Sequence, residues 1–115
     1  MLLNGGRLDR KRYLKPATVA LITSDHIEPE TKIAHGGSRS PDPYSGFGFG
    51  FAVQTVQLPD TRLPIGAYGW GGAGGTFFFI DPRDDMFVLG MMQTLTQGAR
   101  IQAALKTLIY DALER

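Results

Sequence analysis

The chain has no cysteine. Disulfides, thiolate zinc sites and a cysteine nucleophile are therefore excluded, while the redox compartment stays open. No apolar run approaches the roughly 18 residues that a membrane span needs. "MLLNGGRLDRKR" also places its charges after its apolar residues, the reverse of a signal peptide. The expectation is a soluble chain with no membrane partner and an undetermined compartment. Charge excess is missing too. Twelve Lys and Arg against 11 Asp and Glu leave a formal charge of +1, which argues against nucleic acid or another polyanion as the main partner. The one basic cluster, Arg7, Arg10, Lys11, Arg12 and Lys15 around Asp9, reads as a solvated face. At 115 residues the chain is one domain or part of one, a single unit over 1–115.

What the chain does have is glycine, 15 residues of it, concentrated with the prolines between 36 and 75. "MLLNGG" resembles the last turn of a helix closed by Gly5 and Gly6, as if its beginning were absent. Pro16 at a first helical position, followed by Ala17, Ala20, Leu21 and Ser24, predicts a short helix over 16–24. From Glu28 to Ser45 periodicity collapses into a long loop. "YSGFGFGFAVQTV" alternates Phe47, Phe49, Phe51 and Val53 with Gly46, Gly48, Gly50 and Ala52, which predicts one strand with an aromatic face. The bare face implies that something packs close to the backbone. "QLPDTRLPIG" reads as a hairpin loop and "AYGWGG" as the next short strand. "GTFFFIDPRDDMFVLGMMQT" reads as two strands buried on both faces, joined by a polar turn over Asp81–Asp85. Ile101, Ala104, Leu105, Leu108, Ile109, Ala112 and Leu113 form an apolar stripe on a helix of about 15 residues. The fold class is α+β, an antiparallel sheet of three to four strands with a C-terminal amphipathic helix packed on it.

Most candidate chemistry has a plainer explanation. Gly69, Gly71 and Gly74 satisfy G-x-G-x-x-G, but a strand follows where a pyrophosphate site needs a helix. His26 and His35, near Asp25, Glu28 and Glu30, match no metal-ligand spacing, so no metal or cofactor is expected. Asp84 and Asp85 read as turn-solvating carboxylates. None of Ser24, Ser38, Ser40 and Ser45 lies in G-x-S-x-G or Ser-x-x-Lys, so no catalytic residue is assigned. The glycines around Trp70 remain open between two readings. One is a tight turn with a core tryptophan, and the other is a backbone exposed to a ligand or to a developing oxyanion.

Taken in order, "LLNGGRLDRKRYLKPATVALITSDH", "YSGFGFGFAV", "YGWGGAGGTFFFIDPRDDMFVLGMMQ" and the terminal helix resemble the C-terminal part of the penicillin-recognising serine hydrolases. The closest likeness is to the class C β-lactamase-like, family VIII-type carboxylesterases. That resemblance implies acylation of a serine by an ester or lactam carbonyl, then hydrolysis. It sets Trp70, Gly71 and Gly72 where the family's third motif, Lys-Thr/Ser-Gly, borders the site, and makes the Ala73 N–H similar to an oxyanion-hole donor. Trp70 stands in place of the lysine that would hold a β-lactam carboxylate, so the implied substrate is an uncharged small-molecule ester or acyl group. The family's Ser-x-x-Lys and Tyr-x-Asn motifs are absent from these 115 residues. The expectation is a chain without turnover by itself that adjoins a missing N-terminal segment; the alternatives are a non-catalytic, self-associating remnant and a small binding module using the "GFGFGF" face.

Overall fold

The structure, a computed structural model, describes residues 1–28, 45–57 and 62–113. The chain opens with a tight turn in which the Gly5 N–H donates to the Leu2 carbonyl at 3.0 Å and the Gly6 N–H to the Met1 carbonyl at 3.1 Å. Gly5 lies at φ 55°, so this is the Schellman pattern that closes helices. A two-stranded ribbon follows, β1 (Arg7–Leu8) and β2 (Lys11–Arg12), turned by Asp9 at φ 53°. All four strand residues are exposed, as expected of a solvated basic cluster. Arg12 donates to the Gly5 and Leu14 carbonyls, and the Lys11 ammonium lies 5.1 Å from the Tyr13 ring centre. Helix α1 (Pro16–Ile22) starts on Pro16 and buries Val19.

The main sheet has five antiparallel strands in sequential order: β3 (Ser45–Phe47), β4 (Ala52–Gln54), β5 (Tyr68–Gly71), β6 (Phe77–Asp81) and β7 (Met86–Gly90). Helix α2 (Gly98–Ala112) covers one face. Phe77 and Phe79 pack there with Leu63, Ala67 and Tyr110, against Leu105, Ile109 and Leu113. On the other face Val53, Tyr68 and Ile80 pack with Leu2, Leu3, Phe51 and Phe78. The architecture is α+β with a terminal helix on an antiparallel sheet, and the strands number five rather than three to four.

The extra strand comes from "GFGFGF", which is a hairpin and not a single strand. Gly50 turns the chain at φ 98° and the Gly48 N–H closes onto the Phe51 carbonyl at 2.8 Å. The three phenylalanines consequently separate. Phe47 meets Trp70, Phe49 stacks on His26, and Phe51 packs against Tyr68 and Phe78. The close approach expected at the bare positions is present: a Cβ on Gly46 would fall on the Asp25 carboxylate, and one on Gly48 on the Ile22 carbonyl.

Two burial expectations need correction. Strand β7 is not buried on both faces. Its side chains alternate, leaving Phe87 63% and Leu89 62% exposed. Helix α2 has the expected length, but its docked face is rotated away from Ile101 and Leu108 towards Tyr110. Leu108 is exposed and Tyr110 is buried. The cause is a polar tether that composition does not reveal, the Tyr110 hydroxyl donating to the Asp81 carboxylate at 2.7 Å. Asp81, placed by sequence in a polar turn, is thus a structural acceptor. It is wholly buried, and its other oxygen accepts the Arg83 and Asp84 N–H groups at the head of the β6–β7 turn. Burial, and then the hydrogen bond to Asp81, push the Tyr110 phenol well above its ordinary range. Residues 29–44 and 58–61, which hold most of the two expected loops together with Glu30, His35, Ser38 and Ser40, lie outside the described residues. No helix among the described residues is long and apolar enough to cross a membrane.

Candidate functional site

The candidate site is the end of β5 and the turn that follows it. Register pairs Trp70 with Phe78 and Gly71 with Phe77, and the Gly72 N–H donates to the Thr76 carbonyl at 2.7 Å. The Gly75 N–H then closes on the Gly72 carbonyl at 3.0 Å, with Gly75 at φ 93°. This is a three-residue hairpin loop ending on a left-handed glycine. Its outer side rests on the segment that leads into α2. The Thr94 N–H donates to the Gly74 carbonyl at 2.8 Å, and a Cβ on Gly75 would meet the Thr94 carbonyl at 2.8 Å. The glycines that sequence reading left between a turn and a ligand border thus do form a tight turn.

Backbone alternation decides what the other edge of β5 offers. Because Gly72 bonds to β6, the N–H of Gly71 points away from β6, towards the β4 side. Strand β4 begins at Ala52, opposite Gly69, so beyond Gly69 this edge of β5 runs free of a strand partner among the described residues. The Ala73 N–H has no hydrogen bond among the described residues, and Ala73 is exposed. Trp70 overhangs this stretch at 47% exposure, its indole held edge-on by Phe47 at 5.0 Å between ring centres. The Phe49 and His26 rings lie stacked, 4.5 Å apart. Trp70, Gly71, Gly72 and Ala73 therefore form one continuous border, an aromatic wall beside bare backbone. On the α2 side a cleft of about 170 Å³ runs under Gly69 and Gly71 to Gln102 and Lys106.

One juxtaposition escaped sequence reading. Ser24 and His26, two residues apart, meet with Oγ and Nε2 at 3.2 Å. The pair resembles a nucleophile with its base, but the hydrogen bonds argue otherwise. His26 Nε2 also lies 2.7 Å from the Leu21 carbonyl, which can only accept, so Nε2 carries the proton and has no lone pair for the serine. Ser24 in turn donates to the same carbonyl at 2.9 Å. Asp25, between them, is spent on structure, accepting the N–H groups of Ile27 and Phe47. Among the described residues no cluster of His, Asp and Glu could hold a metal ion. Asp84 and Asp85 stay on the β6–β7 turn, with Arg83 3.5 Å from Asp84.

No protein-family model matches the chain. Two proteins of Mycobacterium tuberculosis, Rv1367c of strain H37Rv and MT1414 of strain CDC 1551, are each 33% identical over 99 residues, covering 81% of this chain and 24% of theirs. Among solved structures, EstCE1, a hydrolase with promiscuous acyltransferase activity, superposes with a TM-score of 0.73 at 30% identity, covering 94% of this chain and 26% of that one. The LovD9 mutant of simvastatin synthase from Aspergillus terreus superposes with a TM-score of 0.65 at 21% identity, covering 85% and 29%. The chain has a β-lactamase-like fold. It spans about a quarter of the length of these relatives.

Proposed function

We propose that this chain supplies one wall of the acyl pocket of a β-lactamase-like serine hydrolase or acyltransferase, and that it carries no nucleophile of its own. The observation that carries the reading is the strand-free edge of β5, where the exposed backbone of Gly71 to Ala73 runs beside the overhanging Trp70. A tetrahedral intermediate concentrates negative charge on one oxygen, and a rigid N–H aimed at it stabilises that charge without reorganisation. The Ala73 N–H takes this role, held in place by the Gly72–Thr76 and Gly75–Gly72 hydrogen bonds on either side. Trp70 contributes an apolar, uncharged wall, which favours a neutral ester over a carboxylate-bearing lactam, because no cation at that position pairs the carboxylate. The serine and the bases that act on the ester lie on chain other than these residues, since no serine here sits in Ser-x-x-Lys and the described Ser24 faces a protonated Nε2.

A chimera tests this reading. EstCE1 with its matching quarter replaced by this chain is expected to hydrolyse a neutral p-nitrophenyl ester. Ala73→Pro in that chimera, which deletes the N–H, lowers kcat by about 100- to 1,000-fold. A folded, active chimera whose rate is indifferent to Ala73→Pro overturns the assignment.

A further inference from the structure

Trp70 is the single tryptophan of the chain, and the border it overhangs offers little other side chain, since Gly71 and Gly72 have none and Ala73 only a methyl. An acyl group lying on this border therefore meets the indole, and the orientation of the ring decides which acyl shapes fit. Strand β5 does not fix that orientation by itself. Trp70 stands beyond Gly69, where this edge of β5 has no strand beside it among the described residues, and an exposed side chain there has several staggered orientations open to it. What holds the indole is Phe47. The ring centres lie 5.0 Å apart with their planes at 89°, the T-shaped geometry in which a positive ring edge meets a negative ring face.

Phe47 is held in turn by residues distant in sequence. Its N–H donates to the Asp25 carboxylate at 2.9 Å and its carbonyl accepts the His26 N–H at 2.9 Å, so one two-residue stretch after α1 binds both of its backbone polar groups. The same Asp25 oxygen takes the Ile27 N–H at 3.0 Å, which fixes the carboxylate within its own turn. Gly46 makes room for this, because a Cβ there would occupy the place of the carboxylate. Phe49 adds a second fastening, its N–H donating to the Ile22 carbonyl at 3.0 Å and its ring stacking on His26. A line of contacts thus runs from the end of α1 through Asp25 and Phe47 to the indole.

We infer that Asp25 and Phe47 are positioning residues for Trp70 and that, through it, they set the selectivity of the border in favour of unbranched acyl groups. The selectivity rests on the acyl-pocket reading, whereas the positioning rests on the contacts alone. A straight acyl chain lies along the plane of a ring. A branch next to the carbonyl projects from that plane and needs the wall to yield. A T-shaped ring pair is worth about a two- to tenfold preference for one arrangement. With Phe47 in place the indole resists displacement, and without that ring it turns aside and admits the branch.

Two measurements test the two halves. In the whole 115-residue chain, the tryptophan band of the near-UV circular dichroism reports how firmly one indole is held. Phe47→Leu, which keeps an apolar side chain in the hairpin and removes the ring, is expected to collapse that band with an unchanged far-UV spectrum. Asp25→Ala is expected to do the same, and Asp25→Asn, which keeps an oxygen to accept the Phe47 N–H, to restore it. In the EstCE1 chimera, Phe47→Leu is expected to lower the ratio of kcat/KM for p-nitrophenyl butyrate to that for the isobutyrate by about fivefold. A tryptophan band that both Phe47→Leu and Asp25→Ala leave intact overturns the positioning. An unchanged ratio in a chimera whose rate still depends on the Ala73 N–H overturns the selectivity and leaves the acyl-pocket reading standing. A chimera indifferent to Ala73→Pro removes that reading and the selectivity with it.

Discussion

Strand β6 ends in two turns of opposite design. At its C-terminal end the turn is specified by a side chain: Asp81, wholly buried, holds two backbone N–H groups with one oxygen and the Tyr110 hydroxyl with the other. At its N-terminal end the turn is specified by the absence of side chains, with Gly72, Gly74 and Gly75 folding on backbone hydrogen bonds alone. The first arrangement locks the terminal helix to the sheet and leaves no polar group open. The second leaves the border of β5 exposed beside Trp70. A buried polar cluster concentrates stability, whereas the glycine turn leaves backbone exposed, and one strand carries both.

Substitutions at the two ends are expected to differ accordingly. Asp81→Ala strands the Tyr110 hydroxyl and two turn amides in the interior and costs about 3 kcal/mol, read from the urea midpoint. A loss no larger than that of an exposed-site change would mean that the two ends are alike. Tyr110→Phe leaves the carboxylate with one partner fewer and costs about 2 kcal/mol. The same residue predicts a pH dependence. Its pKa is raised in the folded state, first by burial and then by Asp81, so its contribution is complete below the unfolded value near 10 and is lost as the pH climbs above that. The melting temperature is expected to fall at alkaline pH. Tyr110→Phe flattens that fall to the share left by Tyr68, whose pKa burial also raises.

At the glycine end the effects shrink. Gly75→Ala places a Cβ on a φ of 93° and against the Thr94 carbonyl, for a loss of about 1–2 kcal/mol. Gly74→Ala, with nothing within 4 Å of the new carbon, is expected to be nearly neutral in the same melt. Trp70→Ala is also expected to cost little. The indole is half exposed, and its main ring contact is the edge-on Phe47, so thermal unfolding should register less than about 1.5 kcal/mol.

Much of this architecture was legible in the sequence, for reasons that can be named. The 3.6-residue period of Leu105, Ile109 and Leu113 marked α2, and Pro16 marked the start of α1, because both are local signals. The order of the glycine-rich and aromatic segments carried a resemblance of which the β-lactamase-like fold is borne out. What escaped was decided at a distance. Nothing near Asp81 in sequence announces Tyr110, 29 residues on, so a buried acceptor reads only as the first residue of a polar turn. The Gly/Phe alternation is as compatible with a hairpin as with a strand, and the choice was made by Asp25 and Ile22, which bind the N–H groups of Phe47 and Phe49. The apolar run of β7 looked fully buried because a run alone does not say which neighbour is present. At the candidate site the residues Trp70 to Ala73 could be named from sequence. The open edge that gives them meaning follows from the register of β4 with β5, which no local pattern encodes.

Covalent labelling tells directly whether this pocket border comes without its serine. After incubation of the 115-residue chain with a serine-directed fluorophosphonate, intact-mass spectrometry is expected to return the unmodified mass. A stoichiometric adduct that disappears on Ser24→Ala would contradict the account, because it would show that the Ser24–His26 pair, and not a residue on other chain, supplies the nucleophile.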